Sequence, residues 1–165
     1  MPISYACEGR FGRHHPMIDI PFEDQLLTFK TRLQHGLDSA LELLNDRTGF
    51  RYTALHRFHV GALIPVCVFD RFGENRAYLQ SALLLNELGN LTLANGEFVS
   101  SDCSQDGRLE AHISPIISYC GLVLMPMDGP ACGVLSHFAM DRCEMKPCEI
   151  AFMRAVSPLL VNFVD

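Results

Sequence analysis

The chain has 165 residues, of which 48% are hydrophobic and 19% are charged, so its size and composition match one globular domain and exclude a disordered polypeptide. Its formal net charge is −6 with only 13 lysine and arginine residues, which disfavours nucleic-acid binding because phosphate binding depends on these cations. No apolar run approaches the length of a membrane-spanning helix, so a membrane partner is not expected either.

The cysteines indicate a reducing compartment. There are seven, an odd number, and several lie inside apolar runs, such as Cys67 in PVCVF and Cys120 in SYCGL. Cysteines in such runs are typical of buried free thiols. Residues 1–13 lack an apolar segment of the length that a secretory signal needs. We therefore expect a cytoplasmic location.

The first 20 residues show no helical or strand period and contain the pair His14-His15. We interpret residues 1–20 as an N-terminal arm and residues 21–165 as a single domain. A metal site at the histidine pair is the alternative, but a solvated arm is the simpler interpretation.

A long helix is predicted over Phe22–Arg47. Its apolar residues recur at three- and four-residue steps and form one stripe. The stripe consists of Leu26, Phe29, Leu33, Leu37, Leu41 and Leu44. Gly36 weakens this helix slightly, and Gly49 suits its end.

Two strands follow, at Arg51–Phe58 and Ala62–Asp70. The first alternates between apolar and polar residues, the second is almost continuously apolar, and the short connection between them predicts a hairpin. Pro65 lies inside the second strand. Because proline cannot donate to a sheet, the second strand should be an edge strand or contain a bulge.

The middle of the chain predicts four shorter elements. We expect a strand at Ala77–Ala82, a helix at Leu83–Ala94, a strand at Glu97–Ser101, and a short helix or loop at Gln105–His112. A turn at Asn95-Gly96 separates the predicted helix at Leu83–Ala94 from the strand at Glu97–Ser101.

The clearest pattern lies near the end of the sequence. Apolar runs at Ser118–Met127 and Ala131–Ala139 flank Asp128-Gly129-Pro130, which predicts a second hairpin. A last helix is predicted over Pro147–Val164, with a kink at Pro158. Both faces of this hairpin are apolar, so both must be covered. The predicted fold is therefore α+β: a five- or six-stranded antiparallel sheet with the terminal helices on one face and shorter helices or loops on the other.

This order of elements resembles the GAF domain. The best match is Ser118–Leu160, with Tyr-x-Gly at Tyr119, a short Asp-Gly hairpin, and then Gly-x-Leu-x-His-Phe from Gly133. A weaker match extends back to Phe50 through NGEFVSSDCSQDGRLEAH, and with the leading helix the resemblance covers Phe22–Phe163. Small polar positions of the family pattern differ here, which leaves the ligand and any cofactor unidentified. The differing positions are Phe98, Val123, Val134, Ser136 and Ala139.

The resemblance implies a non-catalytic module for small-molecule sensing or signal transduction. One stand-alone GAF family instead reduces free methionine sulfoxide with pocket cysteines, so a thiol-dependent redox enzyme is the alternative. Cys103 and Cys120 are its candidate thiols, because such chemistry needs a thiolate and a resolving thiol. Free structural thiols are the simpler interpretation, also for Cys143 and Cys148 in CEMKPC. We expect no catalytic residue and no metal site.

The expected ligand pocket lies between the sheet and the mid-chain segments. Mostly apolar clefts with a few polar groups form small-molecule sites. The candidate ligand-binding residues are Ser100, Asp102, Arg108, His112 and Tyr119, beside apolar walls at Leu85, Leu88, Phe98, Gly121 and Val123. The alternative is that these residues fill a closed core.

The terminal helices also suggest a partner. GAF domains commonly dimerise through such helices, and we expect a symmetric homodimer through Phe22–Arg47 and Pro147–Val164. The alternative is that the apolar stripe is used entirely within the monomer. A signal from this domain would pass to a downstream signalling protein.

Overall fold

The computed structural model describes residues 20–74, 86–109 and 114–164, and the structural statements below concern these residues. The strands are β1 (Tyr52–His59), β2 (Ala62–Asp70), β3 (Glu97–Ser100), β4 (Ser118–Leu124) and β5 (Gly133–Ala139). The helices are α1 (Phe22–Gln34), α2 (Leu37–Asp46), α3 (Asn86–Asn95) and α4 (Pro147–Leu160), with 3-10 turns at Cys103–Gln105 and Val161–Phe163. The described strands form one antiparallel sheet in the order β2-β1-β5-β4-β3, which confirms the predicted α+β class.

The predicted helix Phe22–Arg47 is two helices, α1 and α2, because the helical conformation is interrupted at Gly36. This glycine has φ 127°, a backbone conformation that residues with a side chain rarely adopt. The apolar stripe nevertheless continues across the break, since Phe29 of α1 and Leu41 of α2 are both buried. The sequence thus predicted the correct buried face, but it underestimated the effect of one glycine.

The first hairpin turns at Val60-Gly61, where both residues have positive φ angles of 47° and 77°. Two-residue turns of this kind match the right-handed twist of the strands that they connect. The β1–β2 register shifts between Leu55 and His56, next to the pairing of His56 with Pro65. β2 is also an edge strand. Both predicted consequences of Pro65 are therefore found.

The second hairpin consists of β4 and β5 and provides the central strand of the sheet, β5. β4 and β5 pair from Ser118 opposite Ala139 to Leu124 opposite Gly133, which confirms the predicted hairpin. All seven residues of β5 are buried. The connecting loop is longer than predicted, because the strands end at Leu124 and Gly133 and not at the Asp-Gly-Pro turn itself.

The sheet is covered on two faces. One face, here called the helix face, packs against α1, α2 and α4. The opposite face, here called the α3 face, packs against α3 and carries Tyr52, Val134 and Phe138. Gly89 brings α3 close to the sheet, since a Cβ at this position would lie 2.1 Å from Leu63 Cδ1. A glycine lowers helix propensity at this position, but it leaves room for the Leu63 side chain against α3.

The last helix accommodates Pro158 near its end. Proline lacks the N–H that would donate to the carbonyl four residues earlier, at Arg154. The hydroxyl of Ser157 donates to that Arg154 carbonyl instead, at 3.0 Å. The helix ends at Leu160 and continues as a 3-10 turn. The predicted kink at Pro158 stays a prediction.

Several expectations fall outside the described residues. These are the arm up to residue 19, the strand at Ala77–Ala82, the start of the helix at Leu83–Ala94, and His112. The division into an arm and one domain therefore stays a prediction. None of the helices formed by the described residues is both long and apolar enough to cross a bilayer.

Candidate ligand-binding site

A row of three small residues crosses the middle of the α3 face. The strand register places Ala54 of β1 opposite Ser136 of β5, and Ser136 opposite Gly121 of β4. The next row consists of Tyr52, Phe138 and Tyr119, and the rings of Tyr52 and Phe138 stack with centroids 5.0 Å apart. This row of small residues beside large ones, Ala54, Ser136 and Gly121, is here called the trough.

Tyr119 closes the β4 end of the trough. Its hydroxyl lies 3.1 Å from Thr92 Oγ1, and the Thr92 hydroxyl donates to the Leu88 carbonyl at 2.7 Å, so Tyr119 donates to Thr92. A Cβ at Gly121 would lie 2.3 Å from the tyrosine oxygen, so the Tyr119 ring needs a glycine there. Burial raises the pKa of Tyr119, which therefore stays neutral.

Two buried polar atoms at the β1 side of the trough have no hydrogen-bond partner in the described part of the chain. They are His56 Nδ1 and Ser136 Oγ. The two residues are only 3% and 1% exposed, respectively. Desolvation lowers the pKa of His56 to about 4, so its imidazole is neutral at physiological pH. His56 and Ser136 are diagonal neighbours across two paired strands, so their side chains begin about 7 Å apart.

Unsatisfied polar groups of this kind are rare in protein interiors. Each costs about 1–3 kcal/mol in stability unless a water or a ligand provides the missing partner. Sequence reasoning missed both atoms as a site. The alternation of β1 places His56 on the same face as Tyr52, but its lateral neighbour depends on the register with β5.

Arg108 lies close to Ser100, and Asp106 is hydrogen-bonded to both. Its guanidinium donates to both oxygens of Asp106 and, at 2.7 Å, to the Val99 carbonyl, and it lies 4.3 Å above the Phe98 ring. Asp106 also hydrogen-bonds to the Ser100 side chain. The hydrogen bond from Arg108 lowers the pKa of Asp106 well below its usual range. The Arg108 charge is therefore already matched.

A cleft of about 380 Å³ lies beside Arg108 and is also lined by Glu87, Asn90 and Leu91 of α3. The Phe98 ring, on which Arg108 stacks, is 6.3 Å from the Tyr119 ring between centroids. The cleft thus lies one aromatic ring away from Tyr119, on the outer side of α3.

Asp102 faces a different cleft. Its carboxylate accepts from Ser104 N at 3.1 Å, which caps the 3-10 turn, and pairs with Arg142 at 2.5 Å. Both residues line a cleft of about 500 Å³, with Ser101, Gln105, Cys143 and Glu144. Of the predicted ligand-binding residues, the structure groups Ser100 and Arg108, buries Tyr119, and places Asp102 apart. His112 lies outside the described residues.

The candidate redox thiols lie on opposite faces of the sheet. Cys103 packs on the α3 face, whereas Cys120 packs on the helix face with its sulfur 3.9 Å from Met153 Sδ. Burial raises the pKa of Cys103, and it raises that of Cys120 to about 12. Neither sulfur is therefore a thiolate at neutral pH, and a sheet separates the two. Cys143 is a free thiol, but Cys148 is disulfide-bonded, so the expectation of two free thiols is wrong for Cys148.

His137 has a structural environment on the helix face. Asn45 Nδ2 donates to Thr53 Oγ1 at 2.9 Å, and Thr53 Oγ1 is hydrogen-bonded to His137 Nδ1 at 2.7 Å. Burial lowers the pKa of His137 to about 3. No group of three metal-ligating side chains occurs within the described ranges.

The comparisons with known proteins give likenesses in structure alone. No family model matches the sequence, and no curated protein matches it. The GAF domain of a phosphoenolpyruvate-protein phosphotransferase from Acinetobacter is 14% identical, with a TM-score of 0.66 over 86% of this chain and 92% of that chain. The substrate complex of free methionine-R-sulfoxide reductase from Neisseria meningitidis is 12% identical, with a TM-score of 0.64 over 98% and 96%.

A third similar structure is a far-red absorbing dark state with bound biliverdin IXa. It is 12% identical, with a TM-score of 0.64 over 87% of this chain and 96% of that chain. The chain therefore has a GAF-like fold. The same fold carries a phosphotransferase domain, a reductase and a chromophore protein, so the function has to be argued from the site.

Proposed function

We propose that this GAF-like domain is a non-catalytic module that senses a small molecule and passes the signal to a protein partner. The observation that carries the proposal is the trough on the α3 face, where His56 Nδ1 and Ser136 Oγ have no hydrogen-bond partner among the described residues. Mostly apolar sites with a few polar groups are typical of small-molecule binding.

The five ligand-binding residues predicted from the sequence remain part of the proposal. Tyr119 closes one end of the trough, while Ser100 and Arg108 lie at the neighbouring edge beside Phe98. The cleft at Arg108 is the proposed mouth of the site, because the Phe98 ring packs against both Arg108 and Tyr119. Asp102 and His112 are proposed as outer contacts.

A thiol-dependent reductase is the alternative, since reductases share this fold. The chemistry of the cysteines favours the non-catalytic proposal. A nucleophilic cysteine needs a lowered pKa and a resolving partner within reach. Burial raises the pKa of both Cys103 and Cys120, and the two thiols lie on opposite faces. Methionine sulfoxide reduction that is lost in Cys103→Ser and kept in Cys120→Ser would establish the enzyme instead.

A symmetric homodimer through α1 and α4 is also proposed. Part of the apolar stripe is used within the monomer, as shown by the burial of Phe29 and Leu41. Two apolar side chains of α1 stay exposed, however: Phe22 at 46% and Leu27 at 62%. A ligand that favours one arrangement of these helices would shift the dimer equilibrium and so transmit a signal.

A cytoplasmic location remains part of the proposal. Its support is chemical, because Cys103, Cys120 and Cys143 are free thiols, and free thiols persist in a reducing compartment; the disulfide at Cys148 is the observation against it. Neither nucleic acid nor a membrane is proposed as a partner.

Native mass spectrometry of the purified chain tests the proposal, together with a thermal-shift screen of a metabolite library. We expect a retained species that dissociates on unfolding, or a compound that raises Tm. A ligand present at a hundred times its Kd stabilises the fold by about 2.7 kcal/mol, which corresponds to roughly 5–10 °C for a domain of this size. No retained species and no shift across the library would contradict a sensing function.

A further inference from the structure

We propose that the trough binds a small neutral molecule whose edge carries both a hydrogen-bond donor and an acceptor, of the amide, lactam or nucleobase type. His56 Nδ1 and Ser136 Oγ are the atoms that would bind this edge. This inference rests on the proposed sensing function and names the chemical class of the ligand.

The first argument is the hydrogen bonding of the two atoms. Both are buried without a partner among the described residues. By contrast, the buried hydroxyls of Thr92 and Ser118 have partners, at the Leu88 and Asp141 carbonyls. Lack of a partner is therefore specific to this part of the α3 face and is not a general property of the buried side chains.

The second argument is the pairing of the charges near the site. Asp70, opposite Tyr52 on β2, is held by two hydrogen bonds from Arg51, and Arg108 is matched by Asp106. An anionic ligand in the trough would thus find no unmatched cation among these side chains. An ion buried without a partner is strongly disfavoured, so a neutral ligand is favoured.

The third argument is the complementarity of the two groups. The neutral imidazole of His56 has one protonated and one bare nitrogen, and the Ser136 hydroxyl both donates and accepts. If Nδ1 is bare, a ligand N–H donates to it and a ligand carbonyl accepts from Ser136. If Nδ1 is protonated, these roles are exchanged. An edge with one donor and one acceptor, as in an amide, therefore satisfies both atoms in either tautomer of His56.

The fourth argument is shape. Ala54 and Ser136 make the floor low on β1 and β5, the Tyr119 ring covers Gly121 on β4, and the stacked pair of Tyr52 and Phe138 forms one wall. A flat ring is the ligand shape that suits this floor, with its edge toward the polar atoms. Contact with aromatic walls adds about 0.5–1.5 kcal/mol beyond burial alone.

Two matched pairs of probes test the charge and the edge. Nicotinamide and nicotinate have nearly the same shape, but only the first is neutral; uracil and uridine 5′-monophosphate form a second pair. We expect saturable binding of nicotinamide or uracil. The binding is measured by the thermal shift and by the change in the ¹⁵N resonance of His56 Nδ1. The anionic member of the same pair should bind at least ten-fold more weakly.

Variants locate the binding. Ser136→Ala removes one hydrogen bond and should raise the Kd of the neutral probe by up to about ten-fold. Ser157→Ala, on the exposed side of α4, is the matched control and should leave the affinity unchanged. His56→Phe removes the second hydrogen-bonding atom and should likewise lower the affinity for the neutral probe, by up to about ten-fold.

Three results would overturn the inference. They are equal or tighter binding of the anionic probes, no saturable binding of either neutral probe, and an unchanged affinity in Ser136→Ala. Each is distinguishable from failure of the sensing function. A charged metabolite found by native mass spectrometry would leave sensing intact and refute only the neutral class.

Discussion

Arg47 and Glu149 lie 102 residues apart in the chain, yet their side chains form two hydrogen bonds, of 2.7 and 3.2 Å. Arg47 also donates to Gln25 Oε1 at 2.9 Å and lies 3.8 Å from the centroid of the Phe152 ring. One guanidinium thus connects the end of α2 with α1 and α4.

Loss of this guanidinium should destabilise the domain strongly. Arg47→Met keeps much of the apolar contact with Phe152 but leaves the Glu149 carboxylate buried without its cation, which typically costs about 3–5 kcal/mol. Urea denaturation measures the loss. The double variant Arg47→Met/Glu149→Met should recover much of it, because no unpaired charge remains, whereas an unchanged midpoint for the single variant would contradict this account.

Two buried serines should respond in opposite directions. Ser118 donates to the Asp141 carbonyl at 2.7 Å, so Ser118→Ala should destabilise the fold by about 1 kcal/mol. Ser136 has no partner in the described ranges, so Ser136→Ala should be neutral or stabilising. Denaturant midpoints of the two variants give the comparison. A similar loss in both would show that Ser136 has a partner, such as an ordered water.

Gly121→Ala should destabilise the domain by about 2 kcal/mol, because the added methyl group meets Tyr119 and Thr92. Tyr119→Phe in the same chain removes the nearest atom and should restore part of the stability. Gly107→Ala is the control, since no atom lies within 4 Å of the position that the new methyl group would take. Equal stability of the two alanine variants would refute the close packing at Gly121.

The stability of the fold should fall as the pH is lowered below about 6.5. Burial lowers the pKa of His56 to about 4 and that of His137 to about 3, so the unfolded chain takes up protons that the folded chain excludes. Stability contributed by the neutral rings is fully present above pH 6.5 and decreases toward pH 4. Each ring accounts for up to roughly 3 kcal/mol.

Urea denaturation at several pH values measures this slope. His56→Gln should remove a substantial part of it, whereas His59→Gln, at an exposed position, should not change it. A stability that stays constant from pH 7 to pH 5 would contradict the buried neutral state of both rings.

Leu27→Arg should shift the proposed homodimer to a monomer, because it places a charge on the exposed side of α1. Leu27 is 62% exposed, so the monomer fold should be unaffected. Light scattering gives the mass, with Val60→Arg at the tip of the first hairpin as control. A monomer for the unmodified chain at tens of micromolar would exclude the dimer.

The sequence predicted most of the sheet but little of the trough. Apolar runs and the short connections between them identified both hairpins, and Pro65 correctly indicated an edge and a bulge. The trough depends on which residues lie side by side across strands, and Ala54, Ser136 and Gly121 come from three distant segments. Asp102 faces a different cleft because it pairs with Arg142. The sequence did not indicate this pair, since Arg142 lies forty residues later in the chain. Such pairings carry no local signal.

Gly89 sets how closely α3 approaches the sheet, yet a side chain added there would meet only Leu63. A larger residue there would press on the Leu63 side chain and, where that side chain could not turn aside, would lift the helix away from the strands. The space between Ser136 and α3 would then increase, although no residue that contacts the ligand had been substituted. The residue at position 89 would therefore control the size of the ligand that the site admits. His56 and Ser136 would still select the chemistry of the ligand.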